Sequence, residues 1–196
     1  MFKRKSLGIF SLLCWVNAFS LSPSILFPEQ EFLVGIYNHQ WIRAQMPLLP
    51  KPIYWNSRYK ASYGINFGYL QTLFHTEKHF SIEFGVNFSN WNIGSDALFA
   101  LTGLLELRWW IYRTNCFNPY FMYSIAAPTF LSNNHIGGSD LGGNFIFQDY
   151  WGLGIMIGNL HHVNIEFKNL HYSNGDLAMR NAGLQIPFLI SIAYAW

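Results

Sequence analysis

"HFSIEFGVNFSNW", His79–Trp91, decides the fold. Phe80, Ile82, Phe84, Val86 and Phe88 fall on one side of an extended chain, and Ser81, Glu83, Gly85, Asn87 and Ser89 fall on the other. A strand repeats every two residues, so residues i and i+2 share a face. Here one face is wholly apolar, while the other is polar and carries a carboxylate. "YKASYGINFGYL" (59–70) alternates in the same way, with Tyr59, Ala61, Tyr63, Ile65, Phe67 and Tyr69 opposed to Lys60, Ser62, Gly64, Asn66 and Gly68. Leu105, Leu107, Trp109 and Ile111 oppose Glu106 and Arg108. Val163, Ile165 and Phe167 oppose Asn164, Glu166 and Lys168. Extending the pattern along the chain predicts about eight strands, over 31–43, 58–75, 79–92, 98–113, 119–131, 142–158, 161–173 and 183–196.

Composition narrows what such strands build. Of 196 residues, 51% are hydrophobic, 19% aromatic and only 11% charged. Soluble domains carry about 25% charge. Beyond the N-terminus no run of eighteen apolar residues occurs, so no ordinary membrane-spanning helix is present. An aromatic-rich β protein with a large core and a β-barrel in a membrane both fit. The predicted strands are long enough to cross a bilayer at a tilt, and charged residues sit in the middle of them, as the polar interior of a small membrane barrel requires.

The N-terminus reads as a secretory signal peptide: Lys3, Arg4 and Lys5 precede the apolar run "SLGIFSLLCWVNAF", with Ala18 and Ser20 at cleavage-site spacing. The expected organisation is a signal peptide over 1–20 and a single barrel over 21–196. Losing the three leader cations leaves nine Lys and Arg against ten Asp and Glu, so the basic balance belongs to the leader and gives no footprint for nucleic acid. Cys116 is then the one cysteine left, which excludes an intrachain disulfide.

Connections and ending favour the membrane. The links after strands two, four and six are short: "TEK", "TNCFN" and a turn at Asn159–His161. Those after strands one, three, five and seven are longer and polar: "AQMPLLPKPIYWNS", "NIGSDA", "SNNHIGGSD" and "NGDLAMRNA". Outer-membrane barrels have short periplasmic turns and longer outer loops. The chain stops in "FLISIAYAW", where Phe188, Ile190, Ile192, Tyr194 and Trp196 alternate to a terminal aromatic, an ending that resembles the last strand of bacterial outer-membrane barrels. The predicted fold is an all-β, eight-stranded antiparallel transmembrane β-barrel in the bacterial outer membrane.

Polar residues on the lipid face mark the candidate site. Val163, Ile165 and Phe167 put the odd positions of strand seven outward, and Asn169, His171 and Ser173 continue that parity. A histidine and a serine facing lipid are costly unless something polar meets them, and an outer-leaflet lipid with ester bonds is such a partner. On strand six, Asp149 interrupts the outward run Phe145, Phe147, Trp151, Leu153, Ile155 and Ile157. A three-residue turn at Asn159–His161 sets Asp149 opposite His171. A slip of two sets it opposite Asn169 or Ser173, and a bulge turns it to solvent.

"HYSN", His171–Asn174, with its following loop, the last strand and more loosely the upstream "SDLGGNFIFQDYWGLGIMIG", resembles the lipid A 3-O-deacylase (PagL) family. That resemblance implies an eight-stranded barrel and a serine-esterase site on its outer face. It makes Ser173 the nucleophile and His171 the general base, with Asn174 and the Gly175 backbone as oxyanion donors. The substrate it implies is lipid A, or lipopolysaccharide, losing an ester-linked 3-hydroxyacyl chain at the 3-position, without a cofactor. The family's glutamate fourteen residues after the histidine is Gln185 here, an amide that accepts a hydrogen bond but brings no charge. Asp149 is the nearest substitute, and Asp176 in the following loop is another.

The remaining polar residues read more plainly. His75, His79, His161 and His162 sit at turns without a converging ligand set, so no metal site is expected. Glu106 with Arg108 and Glu166 with Lys168 read as interior charge pairs. Arg43, Lys51, Arg58 and Lys60 bracket the first outer loop, where they suit either solvent or lipid phosphates. A homodimer is an open assembly for such a barrel. The alternative to an esterase is a non-catalytic small barrel with a structural or surface-interaction role. A soluble lipid-binding barrel needs an apolar interior, which Glu83, Glu106 and Lys168 oppose.

Overall fold

The alternating segments form eight long strands: β1 (Gln30–Asn38), β2 (Tyr63–His75), β3 (Phe80–Ile93), β4 (Asp96–Trp110), β5 (Phe117–Leu131), β6 (Phe145–Ile157), β7 (His162–Ser173) and β8 (Leu184–Ala195). In this computed structural model the described residues are 28–40, 52, 55, 57, 59–76, 79–114, 116–158 and 162–196. The expected signal peptide at 1–20, and Arg43, Lys51, Arg58 and His161, lie outside them. Each strand pairs antiparallel with the next, and β1 pairs with β8 from Glu31↔Ala195 to Ile36↔Ile190, which closes the barrel. Closure removes the sheet edges that would otherwise expose unpaired backbone. Among the described residues no helix is long and apolar enough to cross a membrane.

The two faces separate as the alternation predicts. Phe84, Val86 and Phe88 of β3 are exposed on the barrel's outside, as are Leu101, Leu105, Trp109, Phe130, Leu153, Ile192, Tyr194 and Trp196. Glu83, Asn87, Ser89, Glu106, Arg108 and Glu166 are buried inside. Eight strands leave an interior that side chains fill. A gap of about 10 Å³ beside Asn66, Gln148 and Lys168 has room for about one water at most.

The interior is organised around Arg108, which is 1% exposed. Its guanidinium donates to Glu31 at 2.8 and 3.2 Å, to Glu166 at 3.4 Å and to Glu106, and lies 3.8 Å from Glu83. Lys168 Nζ sits 2.5 Å from Glu166 Oε2, and the hydroxyls of Tyr120 and Tyr150 donate to Glu166 and Glu106. Two cations therefore hold four carboxylates, and removing the central one strands several charges together. Arg108→Leu is expected to destabilise the barrel by about 3–5 kcal/mol, the cost of orphaning a buried ion pair, and Arg108→Lys by less. The urea midpoint of the detergent-solubilised protein measures this, and an unchanged midpoint contradicts it.

Three local expectations are corrected. The β3–β4 link is a two-residue turn, Gly94–Ser95, closed by Ile93↔Asp96 with Gly94 at φ +63°, and not a longer loop. The predicted strand over 58–75 is broken. Tyr59–Lys60 pairs parallel with Leu184–Gln185, Ala61 N–H donates to Gln185 O at 3.3 Å, and the barrel strand starts only at Tyr63. The reason lies in β8: its pairing with β1 stops at Ile190, and residues 59–61 satisfy the edge left beyond it. Phe188 does not share the exposure of Ile192, Tyr194 and Trp196. It is 5% exposed and stacks on Phe167 with ring centroids 5.6 Å apart.

That last change comes from a bulge. The β7–β8 register steps from Lys168↔Leu189 to Leu170↔Ile186, so Pro187 and Phe188 together oppose Asn169. Proline has no N–H for the ladder and is tolerated at such a bulge. Counting back from Ile192 by twos would turn Gln185 inward. The extra residue turns it outward, opposite His171.

Candidate active site on the outer face of the barrel

β7 runs from the end that holds both described termini to the opposite end, and finishes at Ser173. Its even residues Asn164, Glu166, Lys168, Leu170 and Tyr172 are buried in the interior, so Asn169, His171 and Ser173 lie on the outer face. The β6–β7 register pairs His171 with Asp149 and Ser173 with Phe147, the pairing a three-residue turn predicts. His171 Nδ1 lies 3.8 Å from Asp149 Oδ2. That is longer than a hydrogen bond and within ion-pair range once the ring is protonated.

Asp149 does not turn away to solvent. Its side chain is 17% exposed, and its Oδ1 accepts a 2.6 Å hydrogen bond from Ala126 N–H. Ala126 sits in a bulge of β5, where the register to β6 jumps from Ser124 to Ala127, and its φ is +50°. A non-glycine residue in the left-handed region is uncommon, and such strain concentrates at functional sites. The bulge aims one peptide N–H at the carboxylate.

His171 is outward by parity yet only 3% exposed, because the indole of Trp55 covers it. The two rings stack with centroids 5.1 Å apart and planes 13° from parallel. Trp55, in the β1–β2 connection, is 1% exposed, and its backbone N–H donates to Pro52 O at 3.0 Å. Tyr59–Lys60, four residues on, ties this segment to Leu184–Gln185.

The loop after Ser173 forms the other wall. Gly175 and Asp176 both take left-handed backbone, at φ +63° and +59°, which folds the chain back tightly. Asn174, 3% exposed, braces this turn: its amide donates to Arg180 O at 2.6 Å and its Oδ1 accepts from Asp176 N–H at 2.9 Å. Asn181 Nδ2 donates to Asp176 Oδ1 at 2.8 Å. Trp55, Asp149, His171, Ser173, Gly175, Asp176 and Asn181 together line a cleft of about 290 Å³. Asn174 does not line it. Gln185, opposite His171 in register and 6% exposed, donates its amide to Asn169 Oδ1 at 3.1 Å.

The structure thus gathers His171, Ser173, Asp149 and Gly175 around one cleft, sets Gln185 beside it and puts Asn174 behind its wall. Trp55, Asn181 and Ala126 were not expected from the sequence. The first two are single residues in polar outer loops, and an alanine carries no sign of a left-handed bulge.

A closed barrel with an apolar outer belt, a charged interior and a polar cleft high on the outside defines a small transmembrane β-barrel. The chain belongs to the lipid A 3-O-deacylase (PagL) family, whose model matches residues 57–189. It resembles the crystal structure of the outer membrane enzyme PagL with a TM-score of 0.55 at 14% identity, over 85% of this chain and 97% of that one. At that identity the likeness concerns the fold. No curated protein sequence matches.

Proposed function

We propose that this protein is an outer-membrane serine esterase that removes the ester-linked 3-hydroxyacyl chain at the 3-position of lipid A. The observation that carries the reading is a pair of a buried His171 and a partly exposed Asp149, lining with Ser173 a cleft that opens on the lipid-facing side of the barrel. Family membership supplies the substrate class. An acyl ester in the outer leaflet reaches this face without leaving the membrane.

Ser173 Oγ attacks the ester carbonyl while His171 takes its proton, since a serine hydroxyl needs an adjacent base to become nucleophilic. The oxyanion is held by donors at the cleft wall. Gly175 and Asn181 line the cleft and are the donors in this reading, the second Asn181 amide hydrogen remaining beside its bond to Asp176. Asn174 lies outside the lining with its amide on Arg180, so it acts by holding the turn. The tetrahedral intermediate collapses with cleavage of the ester bond. His171 passes its proton to the departing sugar oxygen, leaving the acyl chain on Ser173. Water, deprotonated by His171, then attacks the acyl-serine ester and releases a free 3-hydroxy fatty acid. Asp149 stabilises the imidazolium in both halves, and Gln185 fixes the neighbouring Asn169.

Incubating the purified protein in detergent with lipid A, followed by mass spectrometry, tests this. The expected result is loss of one 3-hydroxyacyl mass with the matching free fatty acid. Lipid A of unchanged mass, across several acylation forms, overturns the esterase and leaves the non-catalytic barrel.

A further inference from the structure

An indole lies flat against the base of this proposed reaction. The Trp55 and His171 rings are 13° from parallel with centroids 5.1 Å apart, and both residues are buried. The groups packed around the imidazole are few in charge. Asp149 of β6 approaches its edge at 3.8 Å, Gln185 of β8 lies opposite in register and is neutral, and Ser173 is two residues along β7. The indole keeps water off one face of the ring, and the edge towards Ser173 stays on the cleft. A cation formed on the imidazole therefore meets the Asp149 carboxylate at its edge and the π-face of Trp55, with Asp176 further along the cleft wall. Tryptophan offers the strongest such face, and the attraction grows when the pair is desolvated.

We propose that Trp55 is a positioning residue that holds the His171 ring by stacking and stabilises the imidazolium formed during each proton transfer, sharing with Asp149 the role that a charge at position 185 cannot fill here. This rests on the deacylase reading. It gives the outer segment around residue 55 a mechanistic part: the pairing of Tyr59–Lys60 with Leu184–Gln185 anchors that segment beside the residues it serves.

The test compares Trp55→Phe with Trp55→Leu in the detergent-solubilised protein. Leucine keeps an apolar cover and removes the π-face, while phenylalanine keeps a smaller one. The cation exists in the transition state and not in the bound ester. Trp55→Leu should therefore lower kcat about tenfold with KM unchanged, and Trp55→Phe should lower it by about two- to threefold. Stacking also leaves a signature that needs no turnover: the His171 ring protons, observed by NMR in the Ser173→Ala protein, should shift upfield under the indole ring current. That shift should vanish in Trp55→Leu and persist in part in Trp55→Phe. With an active wild type, equal kcat in all three proteins, equal losses in both variants, a change confined to KM, or no ring-current shift in the Ser173→Ala protein each overturn the role of Trp55 alone. A wild-type protein inert towards lipid A overturns the deacylase reading and this role with it.

Discussion

Ser173→Ala is expected to abolish lipid A deacylation and leave the barrel folded. Under the proposed scheme its hydroxyl is the attacking group. Removing the nucleophile of a serine hydrolase costs about 10⁴–10⁶ in kcat, with a small residue surviving through oxyanion stabilisation and binding. Folding should be indifferent, because Ser173 is the last residue of β7, partly exposed, and outside the Arg108 network. The paired measurement is the rate of fatty-acid release and the urea midpoint. His171→Ala should cost a similar factor, and the double variant should cost little more than either, since residues that act as one unit are not additive. A Ser173→Ala protein that still cleaves lipid A removes the serine from the mechanism.

The barrel was legible because each wall of such a fold meets two fixed environments, so hydrophobicity follows the two-residue period with little interference. Glu83 beside Phe84 is enough to orient all of β3. What the period could not show were the places where one residue is inserted. The bulge at Pro187–Phe188 reverses the facing of everything before it in β8. Counting alone puts Gln185 inside, and the family resemblance alone puts it beside His171. The strap at 59–61 alternates as regularly as β2 and so resembles its continuation, and nothing local shows that its partner is β8. The same limits governed the site. Parity carried through β7 placed His171 and Ser173 outside, and a turn length placed Asp149 opposite His171. The cover over the imidazole and the peptide that grips Asp149 come from distant segments, Trp55 and Ala126, whose approach is a tertiary fact with no local pattern.

Asp149→Asn is expected to be the damaging substitution of the two carboxylate positions, and Gln185→Glu the mild one. At 3.8 Å, Asp149 Oδ2 is close enough to stabilise an imidazolium by about 4 kcal/mol at the effective dielectric near a protein surface, before screening. Since about 1.4 kcal/mol is tenfold in rate, that interaction accounts for a loss of about 10²–10⁴ when the charge is removed. Asparagine is nearly the same size and can still accept from Ala126 N–H through its oxygen. It then turns an NH₂ towards His171, which removes the countercharge and favours the wrong imidazole tautomer, the fault that disables a serine protease whose aspartate is changed in the same way. Gln185 starts from a different position, because its amide donates to Asn169 Oδ1. A glutamate there would face that oxygen with a negative charge until the Asn169 amide turned over. With Asp149 already supplying the charge, it should change the rate by no more than about threefold, less than 1 kcal/mol in the barrier. Measuring fatty-acid release from lipid A with both purified variants separates the two mechanisms. If Gln185→Glu instead raises the rate tenfold or more and Asp149→Asn does little, the countercharge belongs at position 185 and the wild-type protein works without one. If neither substitution alters an active enzyme, the countercharge comes from neither position, which leaves Asp176 on the cleft wall and Trp55 against the ring face.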